Sequence, residues 1–481
     1  MEIPEAIDHL LKTKFKLKKL YPYQELVIHN ILEQREEYHY QLVILPTGSG
    51  KSICFQLPAL LLDGITIIVY PLLSLMHDQE RRIRSLATSV KVLKGGQTRA
   101  EREEIYRLAK TGSLKFILTN PETLGREGVL DRLKGSNIGL MVVDEAHAVV
   151  QWGETFRPSY LRLPEIIEHL KPQQVTAFTA TASPKIVERL TQTLFEGAPF
   201  HLVRGNPDRP NISYLVYPTL SKLHTIALLL ENTLTLPALF FCATRRRCEI
   251  LAQRVKELLP HLDVAFYHAG MEKRERQERE KWFFNHSNAL LFSTSAYGLG
   301  VDKPNIRSVI HVDLPPDIES YLQESGRAGR DGERAEAIIL LEHGENSSPL
   351  VEACRQRERC RREALLALMD FESESCSSCD VCDGNFITTP LGLREIIRFL
   401  KLNPFCYTLN EAAQLLRGAG GGPLLRGNSF YALLGEWPKG EVHRALEKLI
   451  NLGDIKRTRI LSRRGVLYPR WQPLGERPSP P

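Results

Sequence analysis

Leu45-Pro46-Thr47-Gly48-Ser49-Gly50-Lys51-Ser52 is the stretch on which the fold turns. Before it runs Gln41-Leu42-Val43-Ile44-Leu45, apolar enough for a strand buried on both faces. After it, Ile53-Cys54-Phe55-Gln56-Leu57 reads as the start of a helix. A strand, a glycine-bearing loop and a helix in that order make a phosphate cradle. Gly48 and Gly50 permit the backbone angles that turn N–H groups inward. The helix N-terminus adds partial positive charge. Lys51 is then placed to reach the β- and γ-phosphates of a nucleotide, and the Ser52 hydroxyl to ligate Mg²⁺. Leu45 stands where the general pattern G-x-x-x-x-G-K-[ST] has its first glycine. The competing reading is an ordinary Gly/Ser turn before a surface helix.

Working outward, apolar runs alternate with helical patterns. After Gln41–Leu45 come Ile65–Tyr70, Lys115–Thr119, Gly139–Val143 and Gln174–Phe178. This is the βαβ rhythm of a doubly wound parallel sheet. Polar residues gather just past each run, where such sheets bind ligand. Among them, Asp144-Glu145-Ala146-His147 supplies one carboxylate for Mg²⁺ and a second, Glu145, for the attacking water. A strand-end acidic pair capping the next helix is the plainer account. Upstream, Tyr21 and Tyr23 are spaced to flank a flat base, and Gln24 to donate to and accept from an adenine edge. Here too a helix started by Pro22 would suffice. Trp152, Phe156 and Arg157 lie in an aromatic loop suited to stacking on single strands, or to a buried aromatic patch.

The pattern breaks at Arg204-Gly-Asn-Pro-Asp-Arg-Pro-Asn211, which reads as a linker. A second βα series follows at Ala238–Cys242, Val264–His268, Ala289–Thr294, Ser308–Asp313 and Ala335–Leu341. It has no phosphate loop. It carries Gly298-Leu-Gly300-Val-Asp302 and Gln323-Glu-Ser-Gly-Arg327-Ala-Gly-Arg330-Asp-Gly332 instead. Arg327 and Arg330 suit an arginine finger that enters the first lobe's site, though an exposed basic turn fits the same letters.

Glu352–Arg362 reads as a charged helix delivering Cys360 ahead of Cys376, Cys379 and Cys382. Four thiolates at C-x15-C-x2-C-x2-C fit a tetrahedral, structural Zn²⁺, with Cys354 as a rival first ligand. Cys54, Cys242, Cys248 and Cys406 read as core residues. Beyond Pro390 the periodicity predicts helices over Leu391–Leu402, Leu409–Leu416 and from Trp437 to about Leu452. A hairpin follows, Ile455–Arg459 and Val466–Tyr468, with Arg463-Arg464-Gly465 at its tip. Helix then basic hairpin is a winged-helix pattern, against a plain helical packing domain. From Asn385 to Pro481 there are 15 Lys/Arg against 7 Asp/Glu, while the whole chain of 481 residues has net charge +6. The basic excess therefore sits at this end and suits an anionic partner. No apolar run is long enough to span a membrane and no secretory signal is visible, which predicts a cytoplasmic protein. The expected divisions are residues 1–205, 206–345, 346–387 and 388–473, with a disordered tail at 474–481.

Taken as a set, these pieces resemble the RecQ family of superfamily-2 DNA helicases. The resemblance runs from about Phe15 to about Tyr468 through T-G-S-G-K-S, Pro71–Gln79, D-E-A-H, the Q-W-G-x-x-F-R-P loop, Q-E-S-G-R-A-G-R-D-G and the cysteine series. It implies two RecA-like lobes in tandem (an α/β fold), a zinc-binding helical segment and a winged-helix-like domain. It also implies ATP- and Mg²⁺-dependent 3′→5′ translocation on single-stranded DNA, serving recombination and repair. Gln24 would read adenine. Thr47, Gly48, Ser49, Gly50, Lys51 and Ser52, with Gly300, Asp302 and Gln323, would line the nucleotide. Asp144 and Ser52 would hold Mg²⁺, and Arg330 beside Arg327 would be the finger. Trp152, Phe156, Arg157, Asn211, Arg463 and Arg464 would meet DNA. Expected partners are single-stranded, duplex and branched DNA and a single-strand-binding protein. Tyr21 replaces the family's usual Arg, and Glu154-Thr155 its usual His-Asp. An RNA helicase or remodeller, or a non-catalytic DNA-binding scaffold, are the alternative functions.

Overall fold

The computed structural model describes residues 3–33, 39–46, 49–71, 73–86, 89–151, 158–180, 182–298, 303–372, 375–419, 426–460 and 463–470. The first lobe contains β1 (Tyr40–Ile44), β2 (Ile65–Val69), β3 (Val90–Val92), β4 (Phe116–Thr119), β5 (Ile138–Val143), β6 (Gln174–Thr179) and β7 (Phe200–Arg204). They form one sheet in the order β3-β4-β2-β5-β6-β1-β7. Each pairing in it is parallel. β2, β4, β5 and β6 are buried along their whole length, so their continuous Val/Ile/Leu runs face helices on both sides. β3 and β7 were not expected. They are edge strands, short or half-exposed, and so lack the continuous apolar run that marks the others.

The second lobe contains β8 (Ile212–Thr219), β9 (Ala238–Phe241), β10 (Asp263–Tyr267), β11 (Ala289–Ser293), β12 (Ser308–His311) and β13 (Ala335–Glu342). Their order is β10-β11-β9-β12-β13-β8, again parallel throughout. β8, at one edge, alternates buried and half-buried positions, and that pattern hid it in the sequence. The chain crosses from the first sheet to the second between Arg204 and Ile212.

The expected charged helix at 352–362 is two helices, Pro349–Arg355 and Arg361–Ala367, with a break between them. Its charges are not all solvated. Arg361 is 3% exposed and Arg362 0%. Arg361 pairs with Asp380, and Arg362 with Asp208. The C-terminal portion holds helices Leu393–Leu402, Leu409–Arg417 and Glu441–Asn451, then β14 (Ile455–Ile460) and β15 (Arg463–Pro469), an antiparallel pair. Ile396, Phe399, Leu416, Leu446 and Leu449 pack into one core with Leu467. Ile460 pairs with Arg463. Arg463 and Arg464, paired with Ile460 and Arg459, therefore begin the return strand instead of forming the hairpin's tip.

This portion is seated on the second lobe. Leu220 joins its core. Ser221 Oγ donates to Glu441 Oε2 at 2.5 Å, Lys448 pairs with Glu342, and His343 Nε2 lies 2.9 Å from Asp454 Oδ2. The His224 and Trp437 rings stack with centroids 4.7 Å apart. Cys406, expected in a core, is exposed in the turn after helix Leu393–Leu402.

Candidate nucleotide site and metal cluster

Helix Lys51–Leu61 begins at Lys51 itself, capped by Gly50 at φ +79°. The positive φ at Gly50 favours glycine, and a Cβ there would stand 2.6 Å from Gln24 Nε2 and push that amide aside. Gln24 Nε2 donates to Ser49 O at 3.0 Å, and Tyr23 OH donates to the same oxygen at 3.1 Å. Gln24 Oε1 accepts from Tyr21 N at 2.9 Å. The amide is thus fixed to the phosphate loop, on the wall of a cavity of about 470 Å³ lined by Phe15, Tyr21, Gly50, Ser52 and Gln56. The Tyr21 and Tyr23 rings stack on each other, 5.5 Å apart at 9°. That spacing leaves no slot for a base between them.

The acidic pair follows β5. Asp144 N donates to Val69 O on β2, which fixes the turn. Glu145 has φ +52°, a strained conformation for a residue other than glycine and one that often marks a functional position. It turns the carboxylate toward the phosphate loop, where Lys51 Nζ lies 3.8 Å from Glu145 Oε1. Burial pushes the Asp144 carboxyl up to about 6, with Glu145 adding to the effect and Lys51 opposing it. For Glu145, burial is outweighed by Lys51, His147, Arg327 and Arg330, which hold its carboxyl below the usual range. So the pair is pushed apart, with Glu145 the more readily ionised member. His147 Nδ1 lies 3.0 Å from Thr179 Oγ1 at the end of β6 and 3.4 Å from Glu145 Oε2. Burial lowers its affinity for a proton.

The second lobe reaches this site. Glu319 Oε1, on helix Ile318–Ser325, accepts from Ser183 N of the first lobe at 3.2 Å. Arg327 and Arg330 follow that helix, and both act electrostatically on Glu145. Arg327 is 4% exposed, and burial, then Arg330, lowers its guanidinium to about 10. Gln323 is half-buried on the same helix. Asn211, expected at DNA, has its amide engaged elsewhere: Nδ2 donates to Gly329 O and Glu333 O, both at 2.8 Å. Thr47, Gly48, Trp152, Phe156, Arg157, Gly300 and Asp302 lie outside the described residues, as do the side chains of Arg463 and Arg464.

Cys360, Cys376, Cys379 and Cys382 bring their sulfurs within 4.8 Å of one another, and Cys360 Sγ lies 3.9 Å from Cys379 Sγ. Zn–S bonds of about 2.3 Å in a tetrahedron place sulfurs about 3.8 Å apart, so the cluster fits Zn²⁺. Burial disfavours the Cys379 thiolate, but N–H groups of Cys382 and Arg361 overcome this and lower its value, while the Cys376 thiol is pushed up to about 11 by burial and its neighbours. Cys354 is buried apart from the cluster, with its thiol pushed up to about 12 by burial, and is not the fourth ligand.

The sequence reading placed His147 to hydrogen-bond across the crevice, as it does to Thr179, but did not anticipate Glu319 or the interior pairs of Arg361 and Arg362. Each joins segments far apart in the chain, and local pattern carries no signal for that.

The DEAD/DEAH box helicase family matches residues 21–190, and the helicase conserved C-terminal domain matches residues 221–332. The ATP-dependent DNA helicase RecQ of Pasteurella multocida is 30% identical over 79% of this chain and 63% of its own length. That of Bacillus subtilis is 29% identical over 92% of this chain and 79% of its own length. That of Haemophilus influenzae is 31% identical over 79% of this chain and 64% of its own length. The chain belongs to the RecQ family of helicases. It thus spans 63–79% of the length of these RecQ relatives. The RecQ-type fold is also similar to that of the DUF1998 helicase MrfA bound to DNA, with TM-score 0.60 and 21% identity, over 98% of this chain and 63% of that one. Among the described residues no helix is long and apolar enough to cross a membrane.

Proposed function

We propose that the chain is an ATP-dependent DNA helicase that moves 3′→5′ on single-stranded DNA and separates duplexes in recombination or repair. The observation that carries this is the convergence on Glu145 of Lys51 from its own lobe and of Arg327 and Arg330 from the other. A site divided in this way links nucleotide chemistry to the angle between lobes.

ATP sits with its base in the cavity beside Gln24 and its phosphates on the loop ending at Lys51. Ser52 and Asp144 would hold Mg²⁺, which would supply positive charge against the charge that develops on the phosphates. Glu145 orients the attacking water and takes its proton. Arg330, with Arg327, stabilises charge on the transferred phosphoryl group. Loss of that group removes what the two lobes share, and the cleft opens. DNA held across both lobes is then advanced, with Trp152, Phe156 and Arg157 as the elements that report its presence.

The three-helix core and the β14–β15 hairpin support a winged-helix reading for residues 388–473, with Arg463 and Arg464 on the strand beside the duplex. The four-cysteine cluster suits a structural zinc, since four thiolates leave no open position for chemistry. The test is unwinding of 3′-tailed against 5′-tailed DNA duplexes and a 3′-tailed RNA duplex, with and without ATP. ATP-dependent opening of the 3′-tailed DNA alone is expected. Equal opening of the RNA, or activity without ATP, overturns the proposal.

A further inference from the structure

The loop that carries Arg327 and Arg330 is held from outside its own lobe's sheet. Arg209, in the crossing between lobes, donates from Nη1 to Gly326 O at 3.2 Å, and from Nη2 to Gly329 O at 2.8 Å and Ala328 O at 3.4 Å. One guanidinium therefore grips three carbonyls on either side of Arg327. Its planar fork suits such a grip in a way an ammonium does not. Asn211, two residues on, takes Gly329 O and Glu333 O. Gly329 has φ +53°, and a Cβ there would stand 2.5 Å from Asn211 Nδ2 and 2.6 Å from Glu333 O. The loop is closed down onto the linker as tightly as glycine allows.

The linker in turn is clamped from the other side. Arg362, 0% exposed, pairs with the Asp208 carboxylate and donates to Arg209 O at 3.1 Å, Ile212 O at 2.5 Å and Ser377 Oγ at 2.8 Å. A buried guanidinium with this many partners is costly to misplace, because each lost bond leaves a buried polar atom uncompensated. Arg209 therefore has a fixed base from which to reach. Its charge is also close enough to feel Arg330 and Asp331.

We infer that Arg209 is a positioning residue: it sets the loop bearing Arg327 and Arg330 against Glu145, from a linker that Arg362 fixes. The Arg209 guanidinium spends its hydrogen bonds on the carbonyls of Gly326, Ala328 and Gly329. It acts by where it leaves the arginines. Because it stands in the crossing between lobes, the loop's position is tied to the same segment that must bend when the cleft opens or closes.

The inference rests on the ATPase reading for its kinetic arm only. The whole chain is used, as wild type, Arg209→Ala, Arg209→Lys, Arg330→Ala and the Arg209→Ala/Arg330→Ala pair. Displacing an arginine finger by about an ångström is expected to cost about 10–100-fold in kcat. Arg209→Ala should show that loss with the KM for ATP within about twofold, and Arg209→Lys should recover only part of it. In the Arg330→Ala background, Arg209→Ala should add less than about twofold, since the group it positions is already gone. Hydrogen exchange over Gly326–Glu333 should rise in Arg209→Ala while the β1–β6 strands stay protected, which separates local release from unfolding. An unchanged kcat in Arg209→Ala, or an undiminished second loss in the Arg330→Ala background, overturns the inference. If the wild type hydrolyses no ATP, the functional proposal fails instead. The exchange arm then decides alone, and unchanged exchange over Gly326–Glu333 refutes the tether.

Discussion

Lys51 Nζ and Glu145 Oε1 stand 3.8 Å apart, with their side chains only 13% and 17% exposed. A pair at that distance near a protein surface interacts by about 4 kcal/mol before desolvation is counted. Lys51 is thus the counter-charge for Glu145, the acid proposed to act on water. A polyphosphate that takes Lys51 leaves Glu145 free to do so.

Lys51→Ala should abolish both roles at once. Loss of one preorganised charge at a transferring group costs about 10²–10³ in turnover. ATP hydrolysis measured with saturating single-stranded DNA should fall by at least that much, and strand displacement with it. Strand displacement that survives the change would remove ATP from the mechanism.

Gln24 is pinned to Ser49 O and Tyr21 N before any base arrives. Its replacement by alanine should raise the KM for ATP about tenfold and narrow the preference for ATP over GTP, because a fixed polar partner rejects the wrong base edge more strongly than apolar walls do. Comparing kcat/KM for the two nucleotides checks this. An unchanged ratio would show that base choice lies elsewhere.

The cysteine cluster should carry one metal per chain, read by native mass spectrometry. Cys379→Ser should lose it and lower the melting temperature by about 5 °C or more, since binding energy at such a site is folding energy. Cys354→Ser should stay loaded, as Cys354 lies outside the cluster.

Burial against Trp437 lowers His224 from 6.5 to about 4. The docked ring is therefore neutral, whereas a released one takes a proton below about 6.5. The contribution of this contact to docking is fully present above that value and weakens as pH falls toward 4, by about tenfold per unit. Protection of helix Glu441–Asn451 in hydrogen exchange, corrected for the intrinsic pH effect, should drop between pH 7 and 5. His224→Phe, which keeps the stack without the proton, should flatten that drop.

How much of this was legible follows from what each residue contacts. The central strands and the Lys51 loop announce themselves because burial on both faces demands unbroken Val/Ile/Leu runs, and the cradle demands glycine in sequence. Asp144 and Glu145 were placed by the strand that precedes them. β3, β7 and β8 escaped because edge strands need no such runs. Arg361 and Arg362 look like solvated charge in the sequence, since their partners Asp380 and Asp208 lie 19 and 154 positions away. The engagement of Asn211 with Gly329 was hidden for the same reason, and so was the stacking of Tyr21 on Tyr23, which depends on side-chain rotation and not on spacing.

The bonds joining Glu441, Lys448 and Asp454 to Ser221, Glu342 and His343 fall on the last helix and on the turn that leads into β14. The terminal β-ribbon is therefore no free-swinging probe. It is an outrigger bolted to the second lobe, so under the proposed mechanism any displacement of that lobe carries the ribbon with it.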